Sequence, residues 1–346
     1  MVRRKWKSSK KKRSGAATVL LGIFLLALLA AGGVAWLVLT PYGPETETFV
    51  ELAPGSSTAL MGSQLEAAGV VRSQFAFDLL RFWERGKLRA GEYRFDHEAP
   101  VTEVYARIAR GDVYTRTLTV PEGANIFDIA ARVEQAGFGT HQQFLNAAVE
   151  QVELVADLDP EAKSLEGYLF PDTYRFQRKT SPAQIAAAMV RRFHVVASQL
   201  GLKENVHQVV TIASLVERES AVDSERPLVA SVFENRLKKK MPLMTDPAVI
   251  YGLELEGRWR GALHEGDLTH NTAYNTYLHN GLPPGPVANP GVHSLRAAMQ
   301  PAETDYLYFV AAGADPEGHS LFSSTLDEHN REVATYRHAL KKAGER

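Results

Sequence analysis

Residues 209–220 read Val209-Val-Thr-Ile-Ala-Ser-Leu-Val-Glu-Arg-Glu-Ser220, and where the acids fall in this run decides how the chain is read. At about 100° per residue, Glu219 lies within about 60° of Ile212, Leu215 and Val216, in the middle of the apolar face of a helix. Glu217 and Arg218 fall off that face. A carboxyl set among Ile, Leu and Val loses hydration, so its neutral form is favoured and its pKa rises. A raised pKa is what a general acid needs near neutral pH. The same position also suits a Glu paired with a buried Arg or capping a neighbouring helix. Glu217 reads as a solvated or salt-bridged residue.

Working outward, helical patterns cover residues 182–200 and 206–220. After Thr245 the chain becomes richer in Pro, Gly, Asn and Tyr, and residues 306–310 alternate as a strand does. Upstream, Phe49-Val-Glu-Leu-Ala-Pro-Gly55 and Thr117-Leu-Thr-Val-Pro-Glu-Gly123 each lead into a helical pattern stopped by glycine, at Gly69 and Gly137. Each unit reads as a strand, a Pro/Gly turn, a helix and a stop. Between them, residues 90–95 alternate like a strand, and residues 102–109 read as a short helix capped by Thr102.

Farther upstream, residues 16–39 are uncharged and almost continuously apolar. As a helix they reach roughly 36 Å, enough to cross a bilayer. The apolar run continues past Ala30-Ala-Gly32, where a cleaved signal peptide should end, so the segment reads as an uncleaved anchor stopped by Pro41. Eight of the 39 Lys and Arg lie in residues 1–13, which hold no acid. This basic block predicts a cytoplasmic N-terminus with the rest of the chain outside the cytoplasm. The remainder carries 31 basic against 40 acidic residues, a net charge of −9, which argues against nucleic-acid binding. Zero cysteines exclude disulfides, thiolate nucleophiles and Cys-ligated metals. No Walker-type phosphate loop is present, and the body reads as acting on envelope polymers, peptides or proteins.

Several motifs then occur in order: Glu166-Gly-Tyr-Leu-Phe-Pro-Asp-Thr-Tyr174, Ala213-Ser-Leu-Val-Glu-Arg-Glu219, Val232-Phe-Glu-Asn-Arg-Leu237, and Thr245-Asp-Pro-Ala-Val-Ile-Tyr-Gly252. Ala273-Tyr-Asn-Thr-Tyr277, Gly281-Leu-Pro-Pro-Gly-Pro286 and Tyr306-Leu-Tyr-Phe-Val310 follow. From about residue 160 to 340 this succession resembles the YceG-like family of endolytic murein transglycosylases. Glu219-Ser220 resembles the Glu-Ser signature of lytic transglycosylases, and the strand–helix units upstream resemble LysM-type glycan-binding modules.

The resemblance implies an α+β fold: a basic tail at 1–15, one transmembrane helix at 16–39, a linker at 40–47, a LysM-like module at 48–115, and a mixed α/β catalytic domain at 116–346 built around a lytic-transglycosylase-type helix. It implies cleavage of the β-1,4 bond from N-acetylmuramic acid to N-acetylglucosamine in nascent peptidoglycan strands, leaving 1,6-anhydro ends. Glu219 would act first as acid and then as base. Glu166, Tyr168, Asp246, Tyr274, Asn275 and Tyr277 match family motifs as substrate-binding residues. Met244 departs from the family, which usually carries Gln there. No cofactor and no metal are implied. The expected partners are glycan strands, the inner membrane through one helix, and peptidoglycan synthases.

Three other readings carry different consequences. A hydrolytic muramidase would pair Glu219 with a second carboxylate such as Asp246. A glycan-binding scaffold would not need Glu219. A metal hydrolase would use His293, His319 and His329, whose spacing matches no H-E-x-x-H pattern.

Overall fold

The computed structural model describes residues 14–313 and 318–344. The basic block of the expected tail, residues 3–13, lies outside the described residues. The chain divides into two units between Thr115 and Arg116.

The first unit opens with helix α1 (Ser14–Leu39). Its end follows from Pro41: Thr40 still donates to the Trp36 carbonyl at 3.0 Å, but proline has no N–H to carry the ladder on. The expected linker at 40–47 is partly tied down, because Tyr42 and Ala99 exchange backbone hydrogen bonds of 3.1 Å. Strand β1 (Thr48–Leu52) leads to α2 (Thr58–Ala67), capped by Ser57, and to α3 (Gln74–Glu84), capped by Ser73. Strand β2 (Gly91–Phe95) returns antiparallel to β1 with Val50 opposite Tyr93. Helix α4 (Val101–Arg110) closes the unit. It begins one residue before the expected start and without a Thr102 cap. Pro100 takes the cap position at φ −67°, an angle its ring enforces, and Thr102 falls inside the first turn. Leu52, Leu65, Phe77, Tyr93 and Ile108 form the core, and Val38 of α1 joins it.

The second unit repeats the arrangement. Strand β3 (Arg116–Thr119), α5 (Ile126–Gln135), α6 (His141–Glu150) and β4 (Thr173–Phe176) run strand–helix–helix–strand. The outer strands again pair antiparallel, with Leu118 opposite Tyr174. Positions 48, 58 and 67, which start β1 and bound α2, recur 68 residues later as 116, 126 and 135. Gly69 and Gly137 stop both helices at φ 70° and 73°, backbone angles at which a Cβ is strained.

After α7 (Pro182–Leu200) come α8 (Val206–Glu219), α9 (Arg226–Lys238), α10 (Asp246–Leu255), α11 (Val292–Met299), β5 (Tyr308–Ala311), β6 (Ser320–Ser323) and α12 (Leu326–Gly344). Helix α8 is the hub: every residue from Val210 to Val216 is buried, with α9 and α11 packed on it. The strand expected at 306–310 is in register with β6 from Tyr308, and the Leu307 N–H still donates to the Ser323 carbonyl at 2.9 Å. The Asn235 side chain takes the carbonyls of Thr304 and Tyr306, and Arg236 takes that of Leu307. The chain is therefore a helix-rich α+β protein whose sheets, among the described residues, are two-stranded and antiparallel.

Candidate active site

Because α8 runs through the core, its last turn delivers Glu219 to the edge of the interior. Ser220 leaves the helix in an extended conformation, φ −115° and ψ 122°, and its hydroxyl donates to the Val222 carbonyl at 3.0 Å. The Glu219 carboxyl has no hydrogen-bond or ion-pair partner among the described residues. Burial first, and the charge of Asp246 second, push its pKa up to about 7; Arg218 and Arg236 pull the other way. The carbonyl end of α8 works in the same direction as burial, since a helix C-terminus disfavours a negative charge.

Glu219 opens onto a cleft of about 480 Å³, walled by Arg236 of α9, Asp246 at the start of α10, Tyr277, Tyr308 of β5 and His329 of α12. The Tyr277 hydroxyl donates to Asp246 Oδ1 at 2.6 Å. Arg236 is held from behind: Nε donates to the Leu307 carbonyl and Nη1 to that of Leu243, both at 2.7 Å. Its guanidinium also lies 5.3 Å from the centre of the Tyr308 ring. The His329 ring stacks on the other partner of that pair, 5.1 Å from Tyr308, and burial lowers its pKa. The site thus combines a protonatable acid, a fixed cation, a second carboxylate and two phenol rings in one cleft.

Glu217, two residues before Glu219, has the opposite environment. Its side chain is only 5% exposed, yet one oxygen binds Arg226 Nη1 at 2.7 Å and the other accepts the Gly291 N–H at 2.8 Å. Arg226 also reaches Ser294 and Asp223. The last turn of α8 is thereby pinned to the starts of α9 and α11, which fixes the direction in which Glu219 leaves the helix.

Of the seven site residues read from the sequence, Glu219, Asp246 and Tyr277 meet in the cleft. Tyr274 packs half-buried against Tyr251 at 5.0 Å, away from the cleft wall. Glu166, Tyr168 and Asn275 are 2%, 0% and 0% exposed and are spent on internal bonds. Glu166 accepts the Ile126 N–H at 2.8 Å and Asn289 Nδ2 at 2.7 Å; burial nonetheless raises its pKa to about 8. Tyr168 donates to Asp159, which also binds His207 at 2.7 Å. Asn275 donates to the Leu268 and His270 carbonyls and accepts the Tyr277 N–H. These three shape the scaffold behind the cleft instead of lining it. His293, His319 and His329 go to separate places: toward Asp223, onto Glu225, and onto Tyr308.

A model of the YceG-like family matches residues 50–335, a span that contains the whole cleft. The chain belongs to the YceG-like family. An endolytic murein transglycosylase of Bacillus subtilis is 34% identical over 313 residues, covering 84% of this chain and 85% of that protein. One of Streptococcus pneumoniae is 29% identical over 360 residues, covering 92% of this chain and 65% of the longer relative. A crystal structure of a YceG-like protein from Listeria monocytogenes superposes with a TM-score of 0.55 at 32% identity, covering 83% of this chain and 99% of that one.

Within this YceG-like chain, Arg236, Tyr308, His329 and Asn330 complete the cleft; of these, the sequence pointed only to His329, and to it as a metal ligand. Arg236 and Tyr308 do sit in family motifs. What was missing was any sign that three segments up to 111 residues from Glu219 converge on it, since neither periodicity nor spacing carries such long-range contacts.

Proposed function

We propose that this chain is a peptidoglycan lytic transglycosylase that cuts the N-acetylmuramic acid β-1,4 N-acetylglucosamine bond within a strand, with Glu219 as the single acid and base. The observation that carries the reading is the free, desolvated Glu219 carboxyl facing an open cleft. Held near neutral at about 7, it can protonate the glycosidic oxygen as the C1–O bond breaks, leaving positive charge on the muramic C1. The muramic C6 hydroxyl then attacks C1 of its own ring while the Glu219 carboxylate takes its proton. Two bonds exchange, no water is consumed, and the product ends in a 1,6-anhydro ring. Because the nucleophile belongs to the substrate, its effective concentration is high and one residue suffices.

Arg236 lines the same cleft, and its charge, which lowers the pKa of Glu219, steadies the anionic form between the two proton transfers. Asp246 and Tyr277 supply polar contacts to sugar hydroxyls, and the Tyr308 ring offers a face for a sugar. The two strand–helix–helix–strand modules act as LysM-like glycan holders. Helix α1 anchors the protein in the inner membrane with its N-terminus in the cytoplasm and the catalytic unit outside, where nascent strands and their synthases are found.

The presence of Asp246 in the same cleft favours one second reading, a hydrolytic muramidase in which a second carboxylate manages water or a covalent sugar. End-group mass spectrometry separates the two. Full-length protein in detergent, incubated with polymeric glycan, should yield anhydro ends lighter by one water than reducing ends, and Glu219→Gln should abolish them. Reducing ends, or anhydro product that survives in the variant, would overturn the proposal.

A further inference from the structure

Helix α3 carries an apolar stripe that the core of its own unit does not use. Phe75, Leu79, Phe82 and Trp83 are spaced i, i+4, i+7 and i+8 and so share one line along the helix. Phe75, Phe82 and Trp83 are 60%, 72% and 79% exposed, whereas Ala76 and Phe77 on the adjoining side are buried. Contiguous exposed rings of this kind mark an interaction surface.

What covers the stripe follows from α1. Leu79, Leu80 and Trp83 form one wall of an apolar crevice of about 490 Å³, and α1 residues 30–39 form the other. Ala30 lies about 13 Å below Leu39 along the helix axis. The segment Ala17–Leu39 is long and apolar enough to cross a membrane, so the α3 wall beside its last three turns lies at the outer edge of the bilayer when α1 spans. The placement is fixed by packing. Val38 is buried in the core of the unit, with Val34 and Leu37 against it, and the Arg72 guanidinium lies 4.4 Å from the Trp36 ring and 4.8 Å from that of Tyr42. Residues 81–90 add four bases, Arg81, Arg85, Lys87 and Arg89, against one acid, Glu84, a composition suited to phospholipid phosphates at the rim of such a helix.

We propose that α3 lies in the extracytoplasmic leaflet of the membrane that α1 spans, with Phe75, Leu79, Phe82 and Trp83 in the interface and Arg85 and Lys87 on anionic headgroups. The first unit is then seated on the lipid surface. This rests on the reading of α1 as a membrane anchor, and the test keeps the two apart. Two full-length single-tryptophan proteins are reconstituted in phosphatidylcholine–phosphatidylglycerol vesicles with brominated acyl chains. One retains Trp83 (Trp6→Phe, Trp36→Phe, Trp259→Phe); the other retains Trp36 (Trp6→Phe, Trp83→Phe, Trp259→Phe). Quenching of Trp83 by bromine is expected to match that of Trp36 within a factor of about two, since both rings would occupy the same interfacial belt. Quenching of Trp36 with Trp83 left unquenched and open to aqueous iodide overturns the proposal while sparing the anchor, and leaves the stripe to a protein partner. Quenching of neither removes the anchor and the seated helix together.

Discussion

The Tyr277 hydroxyl donates to Asp246 Oδ1 across 2.6 Å, and the carboxylate it holds is the one whose charge raises the pKa of Glu219. A general acid is active while protonated, so the rate should fall as pH rises through about 7. Asp246→Asn removes the neighbouring charge and should move this alkaline limb to lower pH. Tyr277→Phe keeps the charge and should lower the rate without moving the limb. A pH profile of anhydro-end formation checks both, and an unmoved limb in Asp246→Asn would remove Asp246 from the account.

Glu219 itself should cost stability where it is needed most. Its pKa is 4.5 when solvated and about 7 in the fold, so the folded state holds the proton more tightly. Its contribution is fully present below the solvated value and is lost as pH climbs through the folded one. Glu219→Gln stays neutral, so the variant should melt higher than wild type at about pH 8 and equal it near pH 4, while activity drops at least about 100-fold. Thermal melts at the two pH values, beside an activity assay, decide it. Equal destabilisation at both would mean that the carboxyl is not desolvated.

The Glu217–Arg226 pair is nearly sealed, at 5% and 7% side-chain exposure. Glu217→Ala leaves a buried guanidinium short of its main partner, a loss of about 3–5 kcal/mol. Denaturant unfolding should show it, and the variant's residual activity should keep the wild-type alkaline limb, because Glu217 holds α8 and does not exchange protons with substrate. A displaced limb would give Glu217 a direct part in the chemistry.

Glu166 receives the Ile126 N–H on one oxygen and the Asn289 amide on the other. Glu166→Gln turns an amide NH2 toward one of these donors and should lower stability by about 1–3 kcal/mol. A chemical melt measures this, and KM for glycan should stay unchanged, since Glu166 lies behind the cleft. A raised KM with unaltered stability would return Glu166 to the substrate.

Much of this was written locally. The 68-residue echo of Gly55/Gly69 in Gly123/Gly137 became two copies of one strand–helix–helix–strand unit, because glycine stops and Pro/Gly turns act over a few residues. The period of α8 put Glu219 on the apolar face, and the structure buries that face. Asn275 and Glu166 could not be assigned in this way. A polar residue in a motif reads the same whether its bonds go to sugar or to carbonyls of its own chain.

By itself, then, the sequence determined the apolar span, the repeated module, the family and the acid at the end of α8, since each follows from order and period along the chain. Tertiary structure alone decided which groups surround that acid. Arg236, Asp246, Tyr308 and His329 line one cleft with Glu219 from four different elements, and only the packing of the chain sets the burial and charge that hold its proton.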